Sequence, residues 1–343
     1  MPVPTRTRRA AVSLAVAALT AAFVTFKLAQ AGPGFVAGDF TYWWRAARVL
    51  LDGNDPYAVI RPGGPYPFHG RFLYPLPAAL VVLPLAPLRP GTALVVFAAL
   101  SAGALAYALT RGGYARLPAL ASLPFLWASS SGQWSPLLTA AAVIPALGWA
   151  AATKVTLGLA VLTYRPHWLS FSLAAGMFAV SFLVQPDWMA GWLSNTQAGD
   201  ALNYVVPLTE LAGPLLALAI LRWRRPEGRL LLAMACVPQG VLFYDQLPPC
   251  LVPATFRESA VLALLSYAIY FVAPLLYPAG TTYGAETTRA YAPLFIALLY
   301  SPCLVMVLRR PNVGALPAWA ECAVRPLPAW LRGAPQAGRP SEP

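Results

Sequence analysis

Apolar runs long enough to cross a bilayer recur along the chain and decide what it can fold into. A hydrocarbon core asks for about 20 consecutive apolar residues per helix. Such runs extend from Ala10 to Thr25, Ala93 to Thr110, Trp168 to Val184, Tyr204 to Leu221, Ser259 to Leu276 and Tyr291 to Leu308. Proline-cut apolar segments lie between them, from Phe72 to Leu88, Leu117 to Ser130 and Pro136 to Tyr164. With 58% hydrophobic and 10% charged residues and a mean hydropathy of +0.60, the chain has too little polar surface to cover a soluble globule. The expected fold class is all-α: a polytopic transmembrane helical bundle of about eleven or twelve spans, forming one domain over residues 1–310.

The formal charge of +12 comes from basic residues grouped at "RTRR" (Arg6 to Arg9), "RWRRPEGR" (Arg222 to Arg229), Arg257 and Arg309 with Arg310. In a chain this apolar, a basic excess marks loops on an anionic cytoplasmic leaflet, so membrane lipids are the expected partner and nucleic acid is not. All four groups lie inside if the chain crosses an even number of times, which puts both termini in the cytoplasm. The start imitates a secretory signal, with a charged region, an apolar core and "LAQA". Its apolar run is long for a signal core, so it reads as an uncleaved anchor. The Pro-rich basic tail, 311–343, reads as disordered.

Polar chemistry gathers between Gly32 and Phe72, a loop of about forty residues and therefore long enough to suggest function. Within "GDFTYWWRAARVLLDGNDPY", the residues Phe40, Trp43, Trp44, Ala47, Leu50 and Leu51 share one helical face, with Thr41, Arg45, Arg48 and Asp52 opposite. That spacing predicts an amphipathic helix lying on the membrane surface. Asp39 stands just ahead of it, either as an N-cap or as a chemical carboxylate. "DGND" (Asp52 to Asp55) ahead of Pro56 is turn chemistry first and a carboxylate pair second. Arg61, His69 and Arg71 are suited to gripping a phosphate, or are solvated loop charges.

Inside the apolar regions Lys154 and Glu210 are the exceptional charges, each a functional group or an anchor reaching an interface. "SSSGQWSP" (Ser129 to Pro136), with Gln133, is a polar break that reads as a helix junction. Nucleotide-binding and hydrolase signatures are absent, and two histidines and four scattered cysteines leave no metal-ligand spacing.

The order of these landmarks resembles the glycosyltransferase family 87 membrane proteins of the GT-C superfamily, which include polyprenyl-phosphate-mannose-dependent mannosyltransferases of bacteria. The resemblance rests on "GDFTYWWRAARVLLDGNDPY", then "FLYPLPAALVVLPLAPL", "SGQWSPLL", the lysine of "TKVTLGL" and "FYDQLPPCLVP", and its specific part is Asp39 to Leu88. It implies a GT-C-type bundle in the bacterial cytoplasmic membrane with its site on the outer face. The implied reaction moves a hexose, mannose by preference, from a polyprenyl-phosphate donor to a glycolipid or envelope glycan, with inversion and without a cofactor or metal. Asp39 takes the place of the family's general base. The donor phosphate is assigned to Arg61, His69, Arg71 and Lys154, and the substrate groove to Tyr42, Trp43, Trp44, Gln133, Glu210 and Asp245. A transporter or lipid flippase, or a non-catalytic envelope-assembly subunit, are the alternatives.

Overall fold

The computed structural model describes residues 4–31, 38–65, 70–198, 204–240, 243–276 and 285–313. His69, Cys322, the tail from 314 onward and most of the loop between Tyr277 and Tyr291 lie outside them.

The chain is mostly helical. Its α-helices are α1 (Arg6–Ala31), α2 (Phe40–Leu51), α3 (Pro56–Val59), α4 (Leu76–Val82), α5 (Pro90–Leu109), α6 (Leu123–Ser131) and α7 (Ser135–Ala141), then α8 (Val155–Leu162), α9 (Trp168–Val184), α10 (Trp188–Ala198), α11 (Pro226–Cys236), α12 (Phe256–Leu276), α13 (Ala285–Phe295) and α14 (Ser301–Leu308). Two short strands, β1 (Tyr204–Val205) and β2 (Gln239–Gly240), pair antiparallel, with Tyr204 opposite Gly240.

Four helical segments among the described residues are long and apolar enough to span a bilayer: Arg6–Ala31, Pro90–Gly112, Phe256–Ala273 and Ala290–Leu308. A fifth exists if α9 and α10, bent by 99° at their break, count as one span. The protein is therefore an all-α membrane protein, and among the described residues it has four or five candidate spans where eleven or twelve were expected.

Proline and glycine explain the shortfall, because they deny the backbone its i→i−4 ladder. The apolar run from Tyr204 to Leu221 becomes β1, a 3₁₀ turn at Pro207–Thr209 and a 3₁₀ segment at Gly213–Arg222. Pro136 to Tyr164 divides into α7, the 3₁₀ segment Pro145–Thr153 and α8. Phe72 to Leu88 yields a helical stretch of Leu76–Leu85 only. At 1.5 Å per residue that covers about half of a 30 Å core.

The first and fifth helices run antiparallel along a seam of small residues. Ser13 donates to Gly103 O at 2.7 Å, Arg9 donates to Tyr107 O at 2.9 Å, and Leu28 meets Gly91 at the other end. This seam defines two poles. At the first, Arg116 and Arg310 both approach Glu227 (3.7 and 3.8 Å), and Arg310 is paired with Glu258 at 2.9 Å. Arg222 and Arg225 reach the carbonyls of Arg310 and Pro311. The separate basic groups of residues 222–229, 257–258 and 309–310 thus meet in space. Asp39 and α2 belong to the opposite pole.

Helix α2 forms over the expected residues, but it does not lie on lipid. Phe40 and Trp43 are fully buried, and the apolar stripe packs into the protein against α4, α5 and the ring of Trp134.

Candidate functional site

Asp39 enters α2 from Gly38, which holds the left-handed φ of +52° that a side chain disfavours. The backbone of Asp39 is already helical, and its carboxylate makes no capping bond. The side chain turns instead to Gln133, 94 residues away in sequence, whose Nε2 donates to Oδ2 at 2.5 Å. The N-cap reading of Asp39 is thereby set aside for the side chain.

Gln133 is delivered by the end of α6. Ser122 opens that helix by accepting from Phe125 N, and Gly132 closes it in the left-handed conformation at φ +65°. A β-carbon on Gly132 would lie 2.5 Å from Leu94 Cδ1 and 2.7 Å from Phe40 Cβ. Both sterics and backbone therefore call for glycine there, and its absence of a side chain lets the junction press against the start of α2. The polar break is a helix junction, as its composition suggests, and it also carries a site residue. A cavity of about 280 Å³ adjoins Gly38, bordered by Lys27, Gln30, Ser130 and Ser131.

Lys154 occupies the extended link between the 3₁₀ segment and α8, so it stands at a break and not within a span. Its Nζ contacts both oxygens of Asp245, at 2.6 and 2.8 Å, and lies 5.2 Å from the centre of the Tyr244 ring. Asp245 is 1% exposed and Lys154 is 9% exposed. A pair this deep survives only if each charge keeps its partner. Beside it, Gln246 donates to Gln239 Oε1 and to Gly240 O, Tyr300 donates to Gln239 Oε1, and Gln239 donates to Met234 O.

The Asp39–Gln133 and Lys154–Asp245 pairs share one electrostatic environment. Burial pushes the Asp39 carboxyl above its ordinary pKa, the Lys154 charge and the Gln133 hydrogen bond oppose that rise, and Asp245 adds to it. The buried Lys154 cation thus pairs directly with Asp245 and acts on Asp39 through its charge. Such an arrangement can hold a proton-accepting carboxylate near an anion-binding amine, provided Lys154 exchanges Asp245 for another anion.

The other expected site residues separate. Tyr42 is half-buried, and a β-carbon on Gly70 would fall 3.0 Å from its hydroxyl. Burial, and next the Asp39 charge, raise its pKa. Trp43 is a core residue, with its ring 4.6 Å from Tyr74 and 5.7 Å from Trp134. Trp44 is 5% exposed and donates Nε1 to Leu88 O at 3.2 Å, so neither indole forms an open groove wall. Arg61 is exposed and Arg71 half-buried, and neither pairs with Asp39 or Asp245. Glu210 follows the turn Pro207–Thr209, half-buried at a 3₁₀ boundary and outside any long helix. His69 lies outside the described residues.

The "DGND" turn is structural: Asp55 caps α3 by accepting from Tyr57 N at 2.9 Å, and also accepts from Gln185 Nε2 at 2.7 Å. Among the described residues no group of three or more His, Cys, Asp or Glu side chains could hold a metal. Sequence reasoning named Lys154 and Asp245 separately and missed that they pair. The available signal was their setting, since each is a lone charge beside a helix-breaking stretch of an apolar chain.

No protein-family model, curated protein or solved structure matches this chain.

Proposed function

We propose that the protein is a membrane glycosyltransferase that moves a hexose, mannose by preference, from a polyprenyl-phosphate donor to a lipid-linked or cell-envelope acceptor. The observation that carries the reading is that Asp39, free of capping, is held by Gln133 in the same buried environment as Lys154 and Asp245. In the proposed step the acceptor hydroxyl oxygen attacks the anomeric carbon. The bond from that carbon to the phosphate oxygen breaks, its electron pair leaves with polyprenyl phosphate, and Asp39 takes the hydroxyl proton. A single displacement inverts the anomeric centre. Lys154 is the cation whose charge acts on Asp39, which makes it the leading candidate for the leaving phosphate, with Arg61 and Arg71 behind it.

The proposed orientation puts the arginine pole in the cytoplasm and the Asp39 pole on the outer face of the bacterial cytoplasmic membrane, by the excess of positive charge at one pole. GT-C architecture belongs to this proposal as well. A transporter or flippase is favoured by one observation, a buried ion pair at a break between short helices.

Radiolabelled mannose transfer from polyprenyl-phosphate-mannose to envelope lipids, in membranes carrying matched amounts of wild type or Asp39→Asn, separates the readings. Asparagine can still meet Gln133 but cannot act as a base. Transfer by wild type that collapses in the variant supports the transferase; equal transfer removes Asp39 from the chemistry. No transfer by either, with lipid or sugar movement across vesicles, favours the transporter.

A further inference from the structure

A groove of about 700 Å³ lies between the start of α12 and the end of the chain's last span. Val261 contributes to it from α12, and Val305 and Met306 from α14; both valines are exposed. Before α14 the same span is interrupted by the π-helical turn Ile296–Tyr300, Pro302 stands in the first turn of α14, and the small side chains of Ala297 and Ser301 leave the trough open.

Two guanidinium groups border this apolar trough. Arg257 opens α12 and Arg309 follows α14; both are exposed, and neither forms an ion pair among the described residues. Their neighbour Arg310 is, by contrast, fully engaged, donating to Glu258 at 2.9 Å and to Val252 O at 2.6 Å. Glu258, the acid in the lining, is committed to Arg310 and to the N–H groups of Ala254 and Thr255. What remains is positive charge at the rim and hydrocarbon below it.

We propose that the groove holds one anionic glycerophospholipid, with its phosphate between Arg257 and Arg309 and an acyl chain along Val261 and Val305. Both flanking segments are long enough to span a bilayer, so lipid is what reaches the trough. A free anion would leave the apolar walls wet, and a zwitterionic headgroup would bring its own cation to two arginines. Basic pockets between membrane helices select anionic headgroups for this reason. The site belongs to the arginine pole and does not depend on the transferase reading.

The test uses full-length protein stripped of lipid in detergent, then exposed to micelles carrying phosphatidylglycerol and phosphatidylcholine in equal amounts, with retained lipid counted by native mass spectrometry. Wild type is expected to retain phosphatidylglycerol over phosphatidylcholine by about thirty-fold, as two arginines at about 1 kcal/mol each imply. Arg257→Gln/Arg309→Gln is expected to lose that preference, while Arg257→Lys/Arg309→Lys keeps part of it. Equal retention of the two lipids by wild type overturns the proposal, as does a preference that survives in the glutamine variant. Glycerol 3-phosphate displacing phosphatidylglycerol as well as a short-chain phosphatidylglycerol does overturns it too, by showing an anion site without a lipid groove. If the glutamine double variant does not fold, the single variants Arg257→Gln and Arg309→Gln decide: a weakened preference in each supports the proposal, and a preference equal to wild type in both overturns it.

Discussion

The two poles of the protein use charge in opposite ways. At the arginine pole many cations are present, and most are spent on backbone: Arg116 donates to Pro253 O, Arg222 to the carbonyls of Leu308 and Arg310, and Arg229 to Thr163 O and Tyr164 O. These bonds tie α11, α14 and the connecting turns together, and they would do so whatever reaction the protein performs. At the Asp39 pole three charges, Asp39, Lys154 and Asp245, are buried: Asp39 and Lys154 each meet a side chain far away in sequence, and the Lys154 charge acts on both carboxylates. The abundance of charge is thus a poor guide to a site; mutual coupling of buried charges is a better one.

Substitutions can break or sharpen this contrast. The largest effect is expected from Asp39→Asn, which should lower sugar transfer by about 10²- to 10⁴-fold, the usual contribution of a general base. Arg225→Gln at the other pole should leave transfer unchanged in the same labelled-mannose measurement. Next comes Lys154→Met, which strands Asp245 in the interior and should cost roughly 3–5 kcal/mol. Denaturant unfolding in micelles measures it, and Lys154→Met/Asp245→Asn should recover much of the loss. A double variant as unstable as the single one would mean that the pair contributes nothing by its charges.

Gly132→Ala should cost about 1–3 kcal/mol, through overpacking and a strained positive φ. It should also lower transfer, because Gln133 moves with the junction. The smallest effect is a shift of pH profile. Since the Asp39 pKa is raised, the base form is lost as pH falls through a value above the ordinary carboxylate range, and transfer should decline there. Gln133→Leu removes a hydrogen bond that favours the charged form, so the declining limb should move to higher pH. A limb that stays in place would separate Gln133 from the carboxylate's titration.

How much was legible beforehand depended on whether local pattern or tertiary contact made the decision. Helix α2 was readable to the residue, because an apolar stripe and a following glycine-rich turn fix it locally. What covers that stripe was not readable, since lipid and protein interior demand the same side chains, and the structure chose protein. The spans failed where composition outvoted backbone chemistry: the stretch from Tyr204 to Leu221 is apolar enough to cross a membrane, yet Pro207, Gly213 and Pro214 prevent a continuous helix. At the site, Asp39, Gln133, Lys154 and Asp245 were each singled out, but separations of 94 and 91 residues hid the pairings. The aromatic residues misled for the converse reason, as Trp43 and Trp44 have the chemistry of a sugar platform and the burial of a core.

The seam between α1 and α5 bears on how the protein is assembled. Only Thr20 and Val24 of α1 are fully buried, so most of this helix faces outward and the seam with α5 is its main hold on the rest of the protein. At the closest approach Gly103 leaves room for Ser13 and Ala17 to dock against α5. Close packing of small residues drives docking of this kind, since lipid offers no hydrophobic gain. A bulky residue at position 103 would accordingly wedge α1 away from α5, and with it the chain that leads from α1 to Asp39 and its partner Gln133.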